Sequence, residues 1–154
     1  MIELAKTTAV INTPIEKVFN YVSNMENYGH WFPGVVAVRS KNNLPHAAVG
    51  KTYVETLNIA NSNYELTIEV VQCKTNSLFL TQGNLEGILP QMTARFCSDQ
   101  ESRCLITLQY HSRNTDLNEQ SKDIVALRKD LTIRAKNGAI ALKELLERAN
   151  VESL

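Results

Sequence analysis

The sequence is poor in the features that announce a function. Sixteen basic and 16 acidic residues cancel to a formal charge of zero, which leaves no excess to neutralise a phosphate backbone or an anionic membrane, and argues against binding nucleic acid by bulk charge. No apolar run approaches the roughly 20 residues that span a bilayer, so stable membrane insertion is not expected. Glu3 stands where a signal peptide would be basic, and no continuous apolar segment follows it; a cytoplasmic location is the expectation. The three cysteines, Cys73, Cys97 and Cys104, are odd in number and lack CxxC spacing, which does not suggest a disulfide framework. His30, His46 and His111 form no local ligand pair, and GxGxxG, Walker and GxSxG motifs are absent, so no metal or cofactor is expected. No repeat or Pro/Gly/Ser-rich linker interrupts residues 1–154, which read as one domain.

What is present is patterning. Thr13-Pro14-Ile15-Glu16 reads as a capping box, and Ile15, Val18, Phe19 and Val22 follow at helical spacing. A second short helix is expected near Asn24, carrying Tyr28, Trp31 and Phe32 before Pro33-Gly34 stops it. Residues 2–12 read as a strand, and six more are expected over Val35 to Ser40, Thr52 to Ile59, Asn63 to Cys73, Ser77 to Gln82, Ile88 to Ser98 and Arg103 to Arg113. From Ser121 to about Ala149, apolar residues recur every three or four positions, as in one long amphipathic helix. Strands segregated from helices and joined by short gaps predict an α+β fold, a curved seven-stranded antiparallel sheet wrapped around the terminal helix. A curved sheet and a straight helix cannot touch everywhere, so a cavity is expected between them.

Pleat parity supplies a candidate lining. Met92, Ala94 and Phe96 share a face with Cys104, Ile106, Leu108 and Tyr110, joined by Tyr64, Leu66, Ile68 and Val70. Tyr53 contributes from the next strand, and Leu127, Leu131 and Ala135 from the helix. Most of these would equally suit an ordinary core. Tyr64 and Tyr110 say more, because a buried phenol needs a partner: a ligand or water in a cavity, a backbone carbonyl in a filled core.

Glu55 shares parity with Tyr53, Leu57 and Ile59. Inside an apolar space its pKa would rise, as a general acid requires; the favoured reading is that parity breaks at the strand end and Glu55 points to solvent. Arg95 and His111 fall on the opposite faces and are expected to be exposed. Cys97 and Cys104 fall on opposite faces too, so they are not expected to pair. Ala135, Gly138 and Ala139 form a small-residue patch, marking either a close approach or room for a ligand. The segment Lys41 to Val49, with its Leu44-Pro45 tip, is the expected lid. Ile133 and Ile140 offer at most a weak homodimer contact, so a monomer or weak homodimer is expected.

The string TPIEKVFNYVSNMENYGHWFPGVV at residues 13–36 resembles the opening of the SRPBCC superfamily, the START-like and polyketide cyclase-like helix-grip proteins. The matching features are the Pro-Ile-Glu start, the Val-Phe helix, the Asn-Met-Glu-Asn step and the Trp-Phe-Pro-Gly exit into a strand. The order of elements extends the resemblance over essentially the whole chain. It implies binding or transport of a hydrophobic or amphipathic small molecule (a lipid, quinone or polyketide-like compound) between sheet and helix. Relatives also suggest two alternatives: a cyclase, dehydratase or hydrolase using general acid–base chemistry, with Glu55 as the best candidate, and a protein-interaction module. These residues build scaffold more than site.

Overall fold

The computed structural model describes residues 1–152. In chain order the elements are β1 (Ile2–Ile11), α1 (Ile15–Val22), a 3-10 helix (Met25–His30), β2 (Val35–Ser40), β3 (Thr52–Ile59), β4 (Ser62–Lys74), β5 (Leu78–Gly83), β6 (Pro90–Gln100), β7 (Arg103–Ser112) and α2 (Lys122–Glu152). The strands form one sheet in the order β1-β7-β6-β5-β4-β3-β2, and every neighbouring pair is antiparallel. This is the α+β helix-grip architecture expected from the sequence.

Local chemistry differs from expectation at the start of α1. Thr13 does not cap the helix: α1 starts after Pro14 with no side-chain cap, and the buried Thr13 hydroxyl instead donates to the Leu146 carbonyl of α2 at 3.3 Å. The same hydroxyl cannot serve both partners, and the long-range bond ties the end of β1 to the terminal helix. Asn24 does cap its helix, accepting from the Glu26 N–H at 3.0 Å, but Trp31 and Phe32 lie just beyond that helix. β6 begins at Pro90, so Ile88 and Leu89 belong to the preceding loop, where Leu89 adopts φ 50°.

α2 is pinned along β1, an edge strand. Arg128 Nε donates to the Glu3 carbonyl at 3.0 Å and Lys143 Nζ to the Val10 carbonyl at 2.7 Å, which satisfies edge acceptors that would otherwise be open to another strand. The buried core follows this seam. Ile106, Leu108 and Leu142 are fully buried, and Phe19 meets Phe96 edge-on at 5.2 Å.

Gly138 allows α2 to approach the segment after the 3-10 helix. A Cβ there would lie 3.2 Å from Phe32 Cδ2 and 3.4 Å from both Pro33 Cδ and the Trp31 carbonyl. The small-residue patch is thus a close approach, with Ala135 and Ala139 buried beside it. Cys97 is exposed and Cys104 buried, and all three cysteines are free. Among the described residues no helix is long and apolar enough to cross a membrane.

Candidate functional site

Because α2 is held against β1, the strands on the other side of the sheet rise away from it and leave a partly open pocket of about 140 Å³. Its walls are mainly apolar. Leu57, Leu66, Ile68 and Met92 project from the sheet, Met25 and Phe32 come from the 3-10 helix and its exit, and Leu127 and Leu131 come from α2. Leu85 and Ile88 of the β5–β6 loop complete the rim.

Three polar residues inside this wall stand out. Strand alternation turns Glu55 inward between Tyr53 and Leu57, and it is only 6% exposed. It has neither a hydrogen bond nor an ion pair among the described residues. Burial pushes its carboxyl up from 4.5 to about 7, because the charged form loses hydration without a compensating partner. Tyr28 and Tyr110 also border the pocket, and their hydroxyls lie 3.1 Å apart. Burial is the main reason both phenols are raised above their usual range; the charge of Glu55 adds to the rise in each. Phe32 supports the pair, with ring centroids 5.1 Å from Tyr28 and 5.3 Å from Tyr110.

At the mouth, Arg134 of α2 pairs with Asp130 at 2.9 Å and donates to the Asn58 carbonyl at 3.2 Å. Gly34 makes room for it. With φ 91°, a Cβ at Gly34 would collide with the guanidinium. Arg134 thereby links the helix to the neighbouring ends of β2 and β3.

The structure separates the sequence candidates into three groups. Leu66, Ile68, Met92, Tyr110, Leu127 and Leu131 border the pocket, and so does Glu55; the solvent-facing reading of Glu55 is corrected, since parity persists to that point of β3. Tyr53, Phe96, Leu108 and Ala135 are buried but lie outside the pocket wall. Phe96 is taken up by Phe19, and Ala135 lies under the close approach of α2. Tyr64 is 46% exposed, so the expected buried phenol is a correction: it keeps the inward parity, but the end of the β3–β4 hairpin extends past the layer that covers the sheet. His111 is half-buried instead of exposed, with its Nδ1 buried and unpartnered.

The expected lid also lies elsewhere. No residue between Lys41 and Val49 borders the pocket. His46 Nδ1 and the Tyr53 hydroxyl are 2.6 Å apart, and His46 Nε2 lies 3.5 Å from Glu26, so this loop is anchored over Tyr53. Burial raises the Tyr53 phenol to about 12, although a backbone bond from Met25 opposes the rise. The sequence reading missed Tyr28 and Arg134. Tyr28 sits in a 3-10 helix with no long periodicity to reveal its facing, and Arg134 reads as part of a solvated helix face. The usable signal for Tyr28 was its place in an aromatic cluster with Trp31 and Phe32.

Neither a protein family nor a curated protein matches the sequence. Solved structures do match its fold. A START superfamily protein from Mycobacterium smegmatis is 12% identical with a TM-score of 0.74, covering 94% of this chain and 97% of that one. The di-domain ARO/CYC StfQ from the steffimycin biosynthetic pathway is 11% identical with a TM-score of 0.72 over 94% of this chain; the chain spans 50% of that protein. A polyketide cyclase-like protein from Corynebacterium glutamicum is 16% identical with a TM-score of 0.64, covering 95% and 93% of the two chains. At these identities the likeness is one of fold. The chain has the helix-grip fold of START-like and polyketide cyclase-like proteins.

Proposed function

We propose that the protein binds a hydrophobic or amphipathic small molecule in the pocket between the sheet and α2. The observation that carries this reading is the combination of a largely apolar wall with one inward cluster, Glu55, Tyr28 and Tyr110. Apolar burial, at about 25 cal/mol per Å², supplies affinity, and the polar cluster orients the ligand. The two START-like and polyketide cyclase-like neighbours support a ligand-binding use of the fold without fixing the ligand. A thermal-shift screen of quinones, polyketide-like aromatics and lipids should find compounds that raise the melting temperature. Failure of every class, together with no co-purifying small molecule in native mass spectrometry, would count against the reading.

Glu55 favours a second reading, an enzyme acting by general acid–base chemistry on a polyketide-like substrate. A carboxyl raised to about 7 can both give and take a proton near neutral pH. This reading requires turnover of a bound compound that Glu55→Gln lowers by roughly 100-fold or more. Binding without turnover by any candidate substrate leaves the carrier reading standing.

A further inference from the structure

The polar end of the pocket has hydrogen-bonding groups left over. Tyr28 and Tyr110 share one hydrogen bond at 3.1 Å. Each phenol has one hydrogen to donate, so whichever of them donates, the other hydrogen remains unused. Neither hydroxyl has another partner among the described residues. Glu55 is almost fully buried at the same wall, also without a hydrogen bond, and close enough for its charge to act on both phenols. The same pocket wall therefore presents one free O–H donor and one free carboxyl acceptor.

Ligand chemistries differ in how they meet that pair. Above about pH 7, where Glu55 is ionised, a ketone or ether oxygen satisfies the donor and leaves the carboxylate bare. An anionic carboxylate satisfies the donor while placing a like charge beside Glu55. A hydroxyl does both, because it accepts from the phenol and donates to the carboxylate. It reproduces the bonding pattern of a water molecule on a carbon skeleton, so displacing water there forfeits no hydrogen bond. Size narrows the class further: a pocket of about 140 Å³ is comparable with the ~150 Å³ engineered cavity that takes up benzene. A ring system suits this space better than a long acyl chain.

We propose that the pocket selects a compact neutral molecule bearing a hydroxyl group, whose oxygen accepts from the Tyr28–Tyr110 pair and whose hydrogen is donated to Glu55. This inference rests on the ligand-binding reading above and names the ligand chemistry of the same site. It carries a pH signature. The titratable and charged groups bordering the pocket besides Glu55 are Tyr28, Tyr110, His111, Asp130 and Arg134, and the last two offset each other as an ion pair. A donating hydroxyl stabilises ionised Glu55, so affinity for it rises as pH passes through about 7. A hydrocarbon offers no donor and removes water from the carboxylate, so its affinity falls over the same range.

Calorimetric titration of the full chain with 1-naphthol, 1-methoxynaphthalene, naphthalene and 1-naphthoate tests this. The expected result at about pH 8 is 1-naphthol binding roughly 10-fold or more tighter than each of the others, the size of a hydrogen bond to a charged group. Glu55→Leu should shrink that preference to about 3-fold or less and flatten both pH trends. The comparison of ligands on the wild-type chain stands by itself if the variant does not fold. Equal binding of 1-naphthol and the two ligands lacking a hydroxyl would overturn hydroxyl selection while leaving ligand binding intact, and tighter binding of 1-naphthoate would do the same. No binding of any of the four, with no hit in the wider thermal-shift screen, would remove both readings.

Discussion

Glu55 is the buried carboxyl of the proposed site, and its energetics have a definite sign. The folded state holds its proton up to about pH 7, whereas a carboxyl exposed on unfolding releases it near 4.5. Between those values the folded state binds more protons, so stability falls as pH rises. The penalty is absent below about 4.5 and complete above about 7, where a shift of this size corresponds to about 3 kcal/mol. Glu55→Gln removes the charge and keeps the shape. The variant should therefore melt roughly 6–12 °C above wild type at about pH 8 and close to it at about pH 4.5, at 2–4 °C per kcal/mol for a chain of this length. Equal melting curves at about pH 8 would mean that Glu55 is solvated in the folded protein. A cost of this kind in a buried apolar wall is what the proposed ligand-binding role of Glu55 accounts for.

At the scale of elements, two contacts shape the pocket: α2 packed on the segment after the 3-10 helix, and Arg134 linking α2 to β2 and β3. Gly138 is the tightest point of the first. Replacing it with alanine improves helix propensity by roughly 1 kcal/mol, but the new methyl needs Phe32 to move by a few tenths of an ångström. Phe32 borders the pocket, so it has space to yield. Gly138→Ala should leave stability unchanged or raised by up to about 1 kcal/mol in urea unfolding while weakening binding of any ligand that fills the pocket. A loss of stability with unchanged binding would place the strain elsewhere. Elements were also the scale most legible in the sequence. The three- and four-residue spacing from Ile124 to Ala149 and the alternation of Leu66, Ile68 and Val70 each encode burial against a partner directly, and both elements form where the pattern indicates. The start of α1 was misread because Thr13 has a competing partner 133 residues away, which no local pattern can show.

For the whole molecule, the order of elements and the 13–36 string were enough to reach the helix-grip fold, because both reflect how a sheet and a helix share one core. The pocket was only partly legible. Parity says which residues face inward, but not where along a strand the sheet leaves the helix. Leu108 and Leu66 both face inward, yet Leu108 is core beside the α2–β1 seam and Leu66 borders the pocket. Tyr64 shares the parity of Leu66 and lies beyond the covered area altogether. The distinction depends on α2 being anchored to β1 through Arg128 and Lys143, a whole-molecule property that separates a seam from a gap. It also defines the most direct test of the central claim, that this gap is a ligand site. Methyl-labelled protein titrated with the compounds that raise its melting temperature should show saturable NMR shifts at Leu57, Leu66, Ile68, Leu127 and Leu131, with Leu108 and Leu142 nearly unmoved. Shifts confined to exposed methyls such as Val36, Ile133 and Ile140, or no saturable shift at the pocket methyls, would contradict it.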